Sequence, residues 1–271
     1  MHTRLAAPST LLLPLLVAAA ACDADPPRKP APSTTSAVAE GPAIKELTAP
    51  KLDGTPLKID GVLDEEAWSK AAATGLFVDV ATGLPDPQIQ GQGEAKIFWD
   101  DHHLYIALEI YDKTLRGGFP PDAKDPHLWE RDTAEIMIDP EGDGDNRDYY
   151  EIQIGPQNLT FDSQFDSYNQ PRGGPAGPFG HEDWSAGGER AVKLHGTLDD
   201  DTDTDDGYTV EVKIPWSSFS KAKTPPAPGS SWRMNFYAMQ NNGGTAWSPI
   251  LGQGNFHKSS RFGRILWSPA P

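Results

Sequence analysis

The sequence predicts an all-β domain built as an antiparallel β-sandwich, and three observations support this fold class. About nine or ten segments alternate apolar and polar residues with the period of a strand that has one buried face. Asp, Gly and Pro residues separate these segments, which is typical of turns. No long segment has the period of a helix, and successive strands without intervening helices favour two packed antiparallel sheets.

The predicted strands extend from residue 94 to residue 267. The clearest are residues 104–111 and 133–139, in which every second side chain is apolar. A short helix is expected at residues 65–73, with Asp64 as its N-cap, and a single helical turn at 216–219. Residues 167–190, rich in glycine and proline, are predicted to form a long irregular loop. The other predicted strands are 94–99, 149–154, 159–164, 191–197, 208–214, 232–240 and 262–267.

Residues 1–21 have the composition of a secretory signal peptide. Arg4 precedes an apolar run at residues 11–21, which is shorter than the roughly 20 residues that cross a bilayer. Cys22 is the one cysteine of the chain and directly follows Ala19, Ala20 and Ala21, as the lipid-carrying cysteine of a bacterial lipoprotein follows small residues. The alternative is an ordinary cleavage site beside an incidental cysteine. In either case no disulfide can form within one chain.

Residues 22–42 are predicted to be a tether, and residues 43–271 a single folded domain. The tether is rich in Pro, Ala, Ser and Thr, a composition that favours an extended chain. The domain is long enough for a two-layer core. Together with Cys22, this organisation predicts a membrane-anchored lipoprotein of the cell envelope, outside the cytoplasm, that touches the membrane only through its lipid.

The charge and the motifs of the chain argue against several functions. The formal net charge is −16, from 23 basic and 39 acidic residues, so nucleic acid and anionic lipid are poor partners. The sequence has no nucleophile elbow, HExxH, P-loop or GxGxxG motif. We therefore expect no enzyme activity and no organic cofactor. Nothing in the sequence signals an oligomer, so a monomer is expected.

Trp129 and Glu135 are the most informative pair of residues. Trp129 precedes the predicted strand 133–139, and the strand period places Glu135 on the face opposite Ile136. An aromatic surface beside a carboxylate suits a sugar ring, which has an apolar face and hydroxyl groups. The alternative is a tryptophan packed on the edge of the sandwich beside a solvated glutamate.

Two acidic segments are candidates for cation binding. Asp143, Asp145 and Asp148 alternate with glycines in the segment 139–148, and such a flexible turn could wrap calcium. The spacing is not that of an EF-hand, and a solvated hairpin turn is the alternative. Residues 199–206 contain six aspartates and are predicted to form an exposed hairpin tip.

Five segments together resemble the family 9 carbohydrate-binding modules and related DOMON-like sandwiches. The likeness covers nearly all of residues 52–267 and implies a β-sandwich that binds sugar without cleaving it. In such modules two aromatic rings clamp the terminal sugar of a glucan or xylan chain, and structural calcium is common. The five segments read IDGVLDEEAW at 59–68, DDHHLYIALEIYD at 100–112, WERDTAEIMID at 129–139, GYTVEVKIPWSSF at 207–219, and AWSPILGQGNFHKSSRFGRILW at 246–267.

The resemblance implies roles for individual residues. Trp129 would be one aromatic surface, Phe256 the second, and Glu135 a hydroxyl acceptor. Amide contacts would come from Gln253 and Asn255. The chain departs from the family pattern in two places, because Phe256 stands where a tryptophan is usual and Glu151 stands near the position of a basic residue. Gln153 shares the outward face of Glu151 and is a further candidate for ligand binding.

The predicted function is non-catalytic capture of poly- or oligosaccharide ends in support of carbohydrate catabolism. Three alternatives stay open. The protein could be an envelope interaction protein that kept the fold but lost sugar binding, as the departures at Phe256 and Glu151 would allow. It could be an accessory to a glycan hydrolase or a glycan-active enzyme. By analogy of fold it could bind haem, which would need a methionine together with a histidine or lysine as ligands. Met137 and Met239 are the methionines considered, and the strand pattern favours ordinary strand residues for both.

Overall fold

The computed structural model describes residues 43–269 except 53, 55, 56, 87, 89, 90 and 176. The predicted signal peptide, Cys22 and the predicted tether lie outside the described residues. No helix in the described part of the chain is long and apolar enough to span a bilayer. The elements are β1 Glu46–Ala49, α1 Glu66–Lys70, β2 Ala72–Ala73, β3 Val78–Asp79, β4 Gln92–Trp99, β5 His103–Tyr111, β6 Thr133–Asp139, β7 Tyr149–Ile154, β8 Thr160–Phe165, β9 Arg172–Gly174, β10 Gly177–Phe179, β11 Glu189–His195, β12 Gly207–Pro215, β13 Ser231–Gln240, β14 Gly243–Ala246 and β15 Gly263–Trp267, with 3₁₀ turns at Leu128–Glu130, Trp216–Ser218 and Ser259–Arg261.

Two sheets pack face to face and confirm the predicted β-sandwich. The larger sheet has the strand order β1-β15-β13-β6-β7-β8, and β14 and β3 extend it beside β13. The smaller sheet has the order β11-β12-β5-β4-β2. Neighbouring strands are antiparallel except β1 and β15, which pair in parallel. A separate hairpin of β9 and β10 lies within the segment that was predicted to be irregular.

The core between the sheets follows from the alternation of apolar residues along the strands. Ile136 and Ile138 of β6 face the same apolar cluster as Ile106 and Leu108 of β5, and all four are fully buried. Each such side chain contributes roughly 1.5–3 kcal/mol when it leaves water. Successive residues point to opposite faces, so Glu135 and Met137 point away from this core.

The outer face of the larger sheet is also buried, because loops cover it. Met137, Tyr149, Phe165 and Tyr237 form a second apolar cluster there, and all seven residues of β6 are buried. Glu135 is only 1% exposed. The expectation that Glu135 points away from the core is therefore confirmed, but the alternative of a solvated glutamate is wrong.

Two local predictions also need correction. The helix α1 is shorter than predicted, and its N-cap is Glu65 rather than Asp64, without a side-chain capping hydrogen bond. The aspartate-rich segment 199–206 is not wholly exposed, because Asp205 is buried. The carboxylate of Asp205 accepts hydrogen bonds from the backbone N–H groups of Leu115 and Thr197, so this end of the segment is tied to the domain.

Candidate functional site

A cavity of about 330 Å³ lies on the outer face of the larger sheet. Its floor comes from strands of that sheet, and its walls come from the β9–β10 hairpin and from the loops before β6 and after β14. It therefore collects residues that are far apart in the sequence. The lining residues are Trp129, Glu135, Glu151, Gln153, Phe165, Asn169, Arg172, Phe179, Met239, Asn242, Asn255, Phe256 and His257.

The register of β6 and β7 brings three polar side chains together at the cavity floor. Glu135 is paired with Gln153, and Met137 is paired with Glu151. The side-chain nitrogen Nε2 of Gln153 donates to Oε2 of Glu135 at 2.8 Å and to Oε1 of Glu151 at 2.7 Å. One amide group thus bridges two carboxyl groups in a site that water barely reaches.

Burial governs the charge of both carboxyl groups. It raises the pKa of Glu151 to about 8, against the hydrogen bond from Gln153 and the charge of Arg172. Burial also raises the pKa of Glu135 well above its ordinary value, and the neighbouring Glu151 adds to that rise. Oε1 of Glu135 and Oε1 of Gln153 are buried and have no hydrogen-bond partner.

His257 adds a further titratable group to the cavity. Its Nδ1 lies 3.0 Å from the hydroxyl of Tyr149, and its Nε2 lies 3.7 Å from Oε2 of Glu151. Burial, with a smaller effect of the Arg172 charge, lowers the pKa of His257 to about 3. The imidazole is therefore neutral near physiological pH and does not neutralise Glu151.

Trp129 lies in the 3₁₀ turn before β6 and is held on several sides. Its ring stacks on His127 at 4.5 Å between centroids and makes edge contacts with Phe161 and Phe179 at 5.1 Å each. The backbone carbonyl of Trp129 accepts a hydrogen bond from the N–H of Asn242 at 2.9 Å. Trp129 thus packs on the edge of the sandwich and also lines the cavity. Its position agrees with both interpretations of the sequence, an aromatic surface for a ligand and a packed edge residue.

Phe256 and Asn255 line the cavity from the loop after β14. The ring of Phe256 makes an edge contact with Tyr237 at 5.0 Å, and the Tyr237 hydroxyl donates to the carbonyl of Phe256 at 3.1 Å. The N–H of Asn255 donates to the hydroxyl of Tyr168 at 3.0 Å. These contacts fix the loop in place.

The structure does not bring Gln253 into the cavity. Its backbone N–H closes a turn by donating to the carbonyl of Ile250 at 3.2 Å, and its side chain is exposed. The prediction that Gln253 contacts a ligand is therefore not supported by the geometry. Asn255, two residues later, is the amide that lines the site.

Sequence reasoning missed several residues of the site, and Arg172 is the most informative of them. Arg172 belongs to β9, and its guanidinium carbon lies 4.9 Å from the ring centroid of Phe179. The chain therefore supplies a basic residue from the β9–β10 hairpin rather than from the strand that carries Glu151. The only signal in the sequence was the length of the segment 167–190, since long loops in compact domains are often functional.

The three aspartates proposed as calcium ligands are engaged elsewhere. Asp143 accepts a hydrogen bond from the N–H of Asp145, and Asp145 accepts one from the N–H of Arg147. Asp148 pairs with Lys221 at 3.1 Å. Among the described residues, no group of three or more His, Cys, Asp or Glu side chains is placed to hold a metal ion. Calcium binding at this turn stays a prediction that the geometry does not support.

The methionines considered as haem ligands take different positions. Met137 is fully buried in the apolar cluster on the outer face of the larger sheet. Met239 is 4% exposed and lines the cavity. Both methionines pack in this apolar cluster. Packing explains their positions without a role in haem binding.

The chain belongs to a known family of carbohydrate-binding domains. Residues 59–268 match the family described as carbohydrate family 9 binding domain-like, which is most of the folded domain. The resemblance seen in the sequence is confirmed by this match.

Two enzymes are among the relatives of the chain. It is 28% identical to the exoglucanase XynX of Acetivibrio thermocellus over 169 residues, which cover 62% of this chain and 12% of that protein. It is 25% identical to the endo-1,4-beta-xylanase A of Thermoanaerobacterium saccharolyticum over 228 residues, which cover 80% of this chain and 16% of that protein. The chain therefore spans less than a fifth of either enzyme.

A solved structure shares the fold. It is a family 9 carbohydrate-binding module from Caldicellulosiruptor kristjanssonii in complex with cellotriose, with 18% sequence identity and a TM-score of 0.56. The match covers 84% of this chain and 95% of that one. At this identity the likeness concerns the architecture of the sandwich.

Proposed function

We propose that this protein binds carbohydrate without cleaving it, and that the cavity holds the terminal sugar of an oligo- or polysaccharide. One observation carries the proposal. The aromatic rings of Trp129 and Phe256 line the same cavity as the polar groups of Glu135, Gln153 and Asn255. Its volume of about 330 Å³ suits a small ligand.

The expected affinity follows from the contacts that a sugar ring makes. Stacking on an aromatic ring removes ~60–80 Å² of C–H surface from water, which contributes about 1.5–2 kcal/mol. A hydrogen bond from a hydroxyl to a charged acceptor adds roughly 1.5–3 kcal/mol. After the cost of association, binding between about micromolar and millimolar is expected.

The relatives support glucan or xylan ends as ligands and a role in carbohydrate catabolism. One is named an exoglucanase and another a xylanase, and the module of similar fold holds cellotriose. Because this chain corresponds to a small part of each enzyme, their activities are not transferred to it. The sandwich is proposed to capture the glycan and leave cleavage to other proteins.

The test is calorimetry on residues 43–271 with cello- and xylo-oligosaccharides, after a glycan-array screen. Trp129→Ala should weaken binding by about tenfold or more, because it removes an aromatic wall of the cavity. Tyr111→Ala is the matched control, since Tyr111 is 42% exposed on the smaller sheet, and it should leave binding unchanged. A folded protein that binds no glycan would contradict the proposal and favour the envelope interaction role.

The proposal includes anchoring of a monomer outside the cytoplasm through a lipid on Cys22. It is supported by the signal-like residues 1–21 and by the position of the single cysteine directly after them. Cys22→Ser should move the protein from the membrane fraction to the soluble extracytoplasmic fraction. An unchanged distribution would contradict lipid anchoring and leave the sugar site untouched.

A further inference from the structure

Two buried carboxyl groups line the cavity, and among the described residues no positively charged side chain lies within 4.0 Å of either. The charge of Arg172, on the cavity wall, acts on Glu151 from farther away and lowers its pKa. Glu135 and Glu151 are 1% and 4% exposed, and both accept from the same amide of Gln153. Within the described residues, the only basic side chain within 4.0 Å of either carboxyl is His257, whose imidazole is neutral. Glu135 and Glu151 share one neutral hydrogen-bond donor and have no counter-charge in direct contact. Buried ionised groups are normally paired with an opposite charge.

Two oxygen atoms of the cavity without hydrogen-bond partners indicate which chemical group a ligand would need. Oε1 of Glu135 and Oε1 of Gln153 are both buried without a partner, and both side chains line the cavity. A carbonyl oxygen is an acceptor, and so is an ionised carboxylate. The free oxygen of Gln153 therefore requires a donor on the ligand. A positively charged donor would also favour the ionised form of Glu135 and Glu151, in which both accept hydrogen bonds.

Arg172 does not fill this role in the protein. Its guanidinium lies over the ring of Phe179 at 4.9 Å, and its Nε donates to the backbone carbonyl of Asn169 at 3.4 Å. Its side chain makes no ion pair within 4.0 Å to Glu135 or Glu151 among the described residues. From this position its charge lowers the pKa of Glu151, but it leaves both carboxyl groups free to form an ion pair with a cationic ligand.

We infer that the cavity prefers a sugar with a protonated amino group, a hexosamine, over the corresponding neutral sugar. This inference rests on the proposed carbohydrate-binding function and names the class of sugar. An ammonium group has three donors and no acceptor, which matches Glu135, Glu151 and the free oxygen of Gln153. The sugar ring would retain its aromatic contact with Trp129. The net charge of −16 would also accelerate the approach of a cationic glycan.

Binding of an ammonium group should release protons from the protein. Burial favours the protonated form of the carboxyl pair in the empty cavity, whereas an adjacent positive charge favours the ionised form. A neutral sugar lacks this effect. The titratable and charged groups around the pair are Glu135 on β6, Glu151 and Tyr149 on β7, Tyr237 on β13, Arg172 on β9 and His257 in the loop after β14.

The decisive experiment is calorimetry at about pH 5.5 on the purified chain with three tetrasaccharides. They are a β-1,4-glucosamine tetramer, its fully N-acetylated form and cellotetraose. At this pH the glucosamine amines are protonated before they bind, and the carboxyl groups of the empty cavity still hold protons. Titrations in buffers of different ionisation enthalpy count the protons released. We expect the free-amine tetramer to bind about tenfold more tightly than the other two, with proton release and a loss of affinity at high salt.

Two variants test the residue basis of the preference. Glu151→Gln keeps the shape of the side chain and removes one carboxyl, so the preference for the amine should largely disappear. Glu141→Gln makes the same charge change at an exposed position and should keep it. If Glu151→Gln does not fold, proton release by the wild-type protein decides the question.

The outcomes separate this inference from the proposed function. Equal or tighter binding of cellotetraose by the wild-type protein, or binding of the amine without proton release, overturns the preference and leaves sugar binding in place. A full preference in Glu151→Gln also overturns it. Failure of the folded protein to bind any of the three sugars or any glycan on the array overturns both proposals.

Discussion

Gln153 has a structural role that is separable from any ligand. Its amide is the hydrogen-bond donor shared by Glu135 and Glu151, and it opposes the effect of burial on their pKa values. A hydrogen bond to a charged group contributes about 1.5–3 kcal/mol, against about 1 kcal/mol for a neutral pair. The contribution of Gln153 to stability must therefore depend on the protonation of its neighbours.

Gln153→Met should lower the free energy of unfolding by about 1–3 kcal/mol at pH values where the carboxyl groups are ionised. The loss should be smaller in acid, where both carboxyl groups are protonated and need the donor less. Urea denaturation near pH 5 and near pH 9 measures the difference. Gln88→Met, at an exposed position, is the matched control. An equal loss at both pH values would contradict the assigned role.

Five of the six residues that the sequence predicted for ligand binding line the cavity, although the cavity has thirteen lining residues in all. The successful predictions rest on local patterns. The strand period sets the direction of Glu135 and Gln153, and the resemblance places Trp129, Asn255 and Phe256. Arg172 and His257 could not be identified, because their positions depend on how a hairpin and a loop fold back over the sheet. Such contacts between distant segments have no sequence period.

At the scale of elements, the β9–β10 hairpin forms a wall of the cavity and depends on Gly180 for its position. Gly180 directly follows β10 and has a φ of +75°, a conformation that favours glycine. A Cβ at this position would lie 2.7 Å from the carbonyl oxygen of Gln164 and 3.0 Å from the ring of Phe165. Only glycine allows the hairpin to approach β8 this closely.

Gly180→Ala should therefore displace the hairpin and weaken sugar binding several-fold. It should also lower the free energy of unfolding by more than the roughly 1 kcal/mol that a positive φ alone costs. Gly173→Ala is the matched control, because Gly173 has a φ of +64° but no atom within 4 Å of a Cβ. Calorimetry and thermal melting compare the two variants. Equal effects of both would show that close packing at Gly180 is unimportant.

Strand prediction succeeded where a segment is long enough to show its period. The predictions for 133–139 and 149–154 coincide with β6 and β7, and most other long strands differ by one or two residues at an end. The strands β2 and β3, with two residues each, were missed because two residues have no period. The parallel strand β1 was missed because only its partner β15, at the other end of the domain, makes it a strand.

At the scale of the whole molecule, buried acidic groups make stability depend on pH. Burial, with a smaller effect of Asp112, raises the pKa of Asp132 to about 7. Burial raises the pKa of Asp139 to about 6, against hydrogen bonds from Gly142 and Gly144. With Glu151, these groups hold protons in the folded protein at pH values where the unfolded chain has released them.

The sign of the effect follows from linkage. Raised folded-state pKa values give stability that is complete below the unfolded pKa, near 4, and is lost as the pH rises through about 6 to 8. His257 acts in the opposite direction, because its lowered pKa gives stability that is present above about 6.5 and is lost toward pH 3. Three acids outweigh one histidine, so stability should increase as the pH falls from about 8 to about 5.

We expect the free energy of unfolding to fall by about 2–4 kcal/mol between about pH 5 and pH 8, since one pKa unit corresponds to about 1.4 kcal/mol. Denaturant titrations across this range measure the slope. Asp132→Asn should make the slope shallower, whereas Asp122→Asn, at an exposed position, should not. Stability that is constant or that rises toward pH 8 would contradict the assignment of these buried acids.

The parallel pairing of β1 with β15 gives the domain a mechanical property. The two strands are paired over four residues, from Glu46 with Arg264 to Ala49 with Trp267. A pull applied to residue 43 along the strand direction loads their hydrogen bonds together in shear, whereas a perpendicular pull would open them one after another. A force applied along β1 must therefore break these hydrogen bonds together before the first strand can leave the sheet.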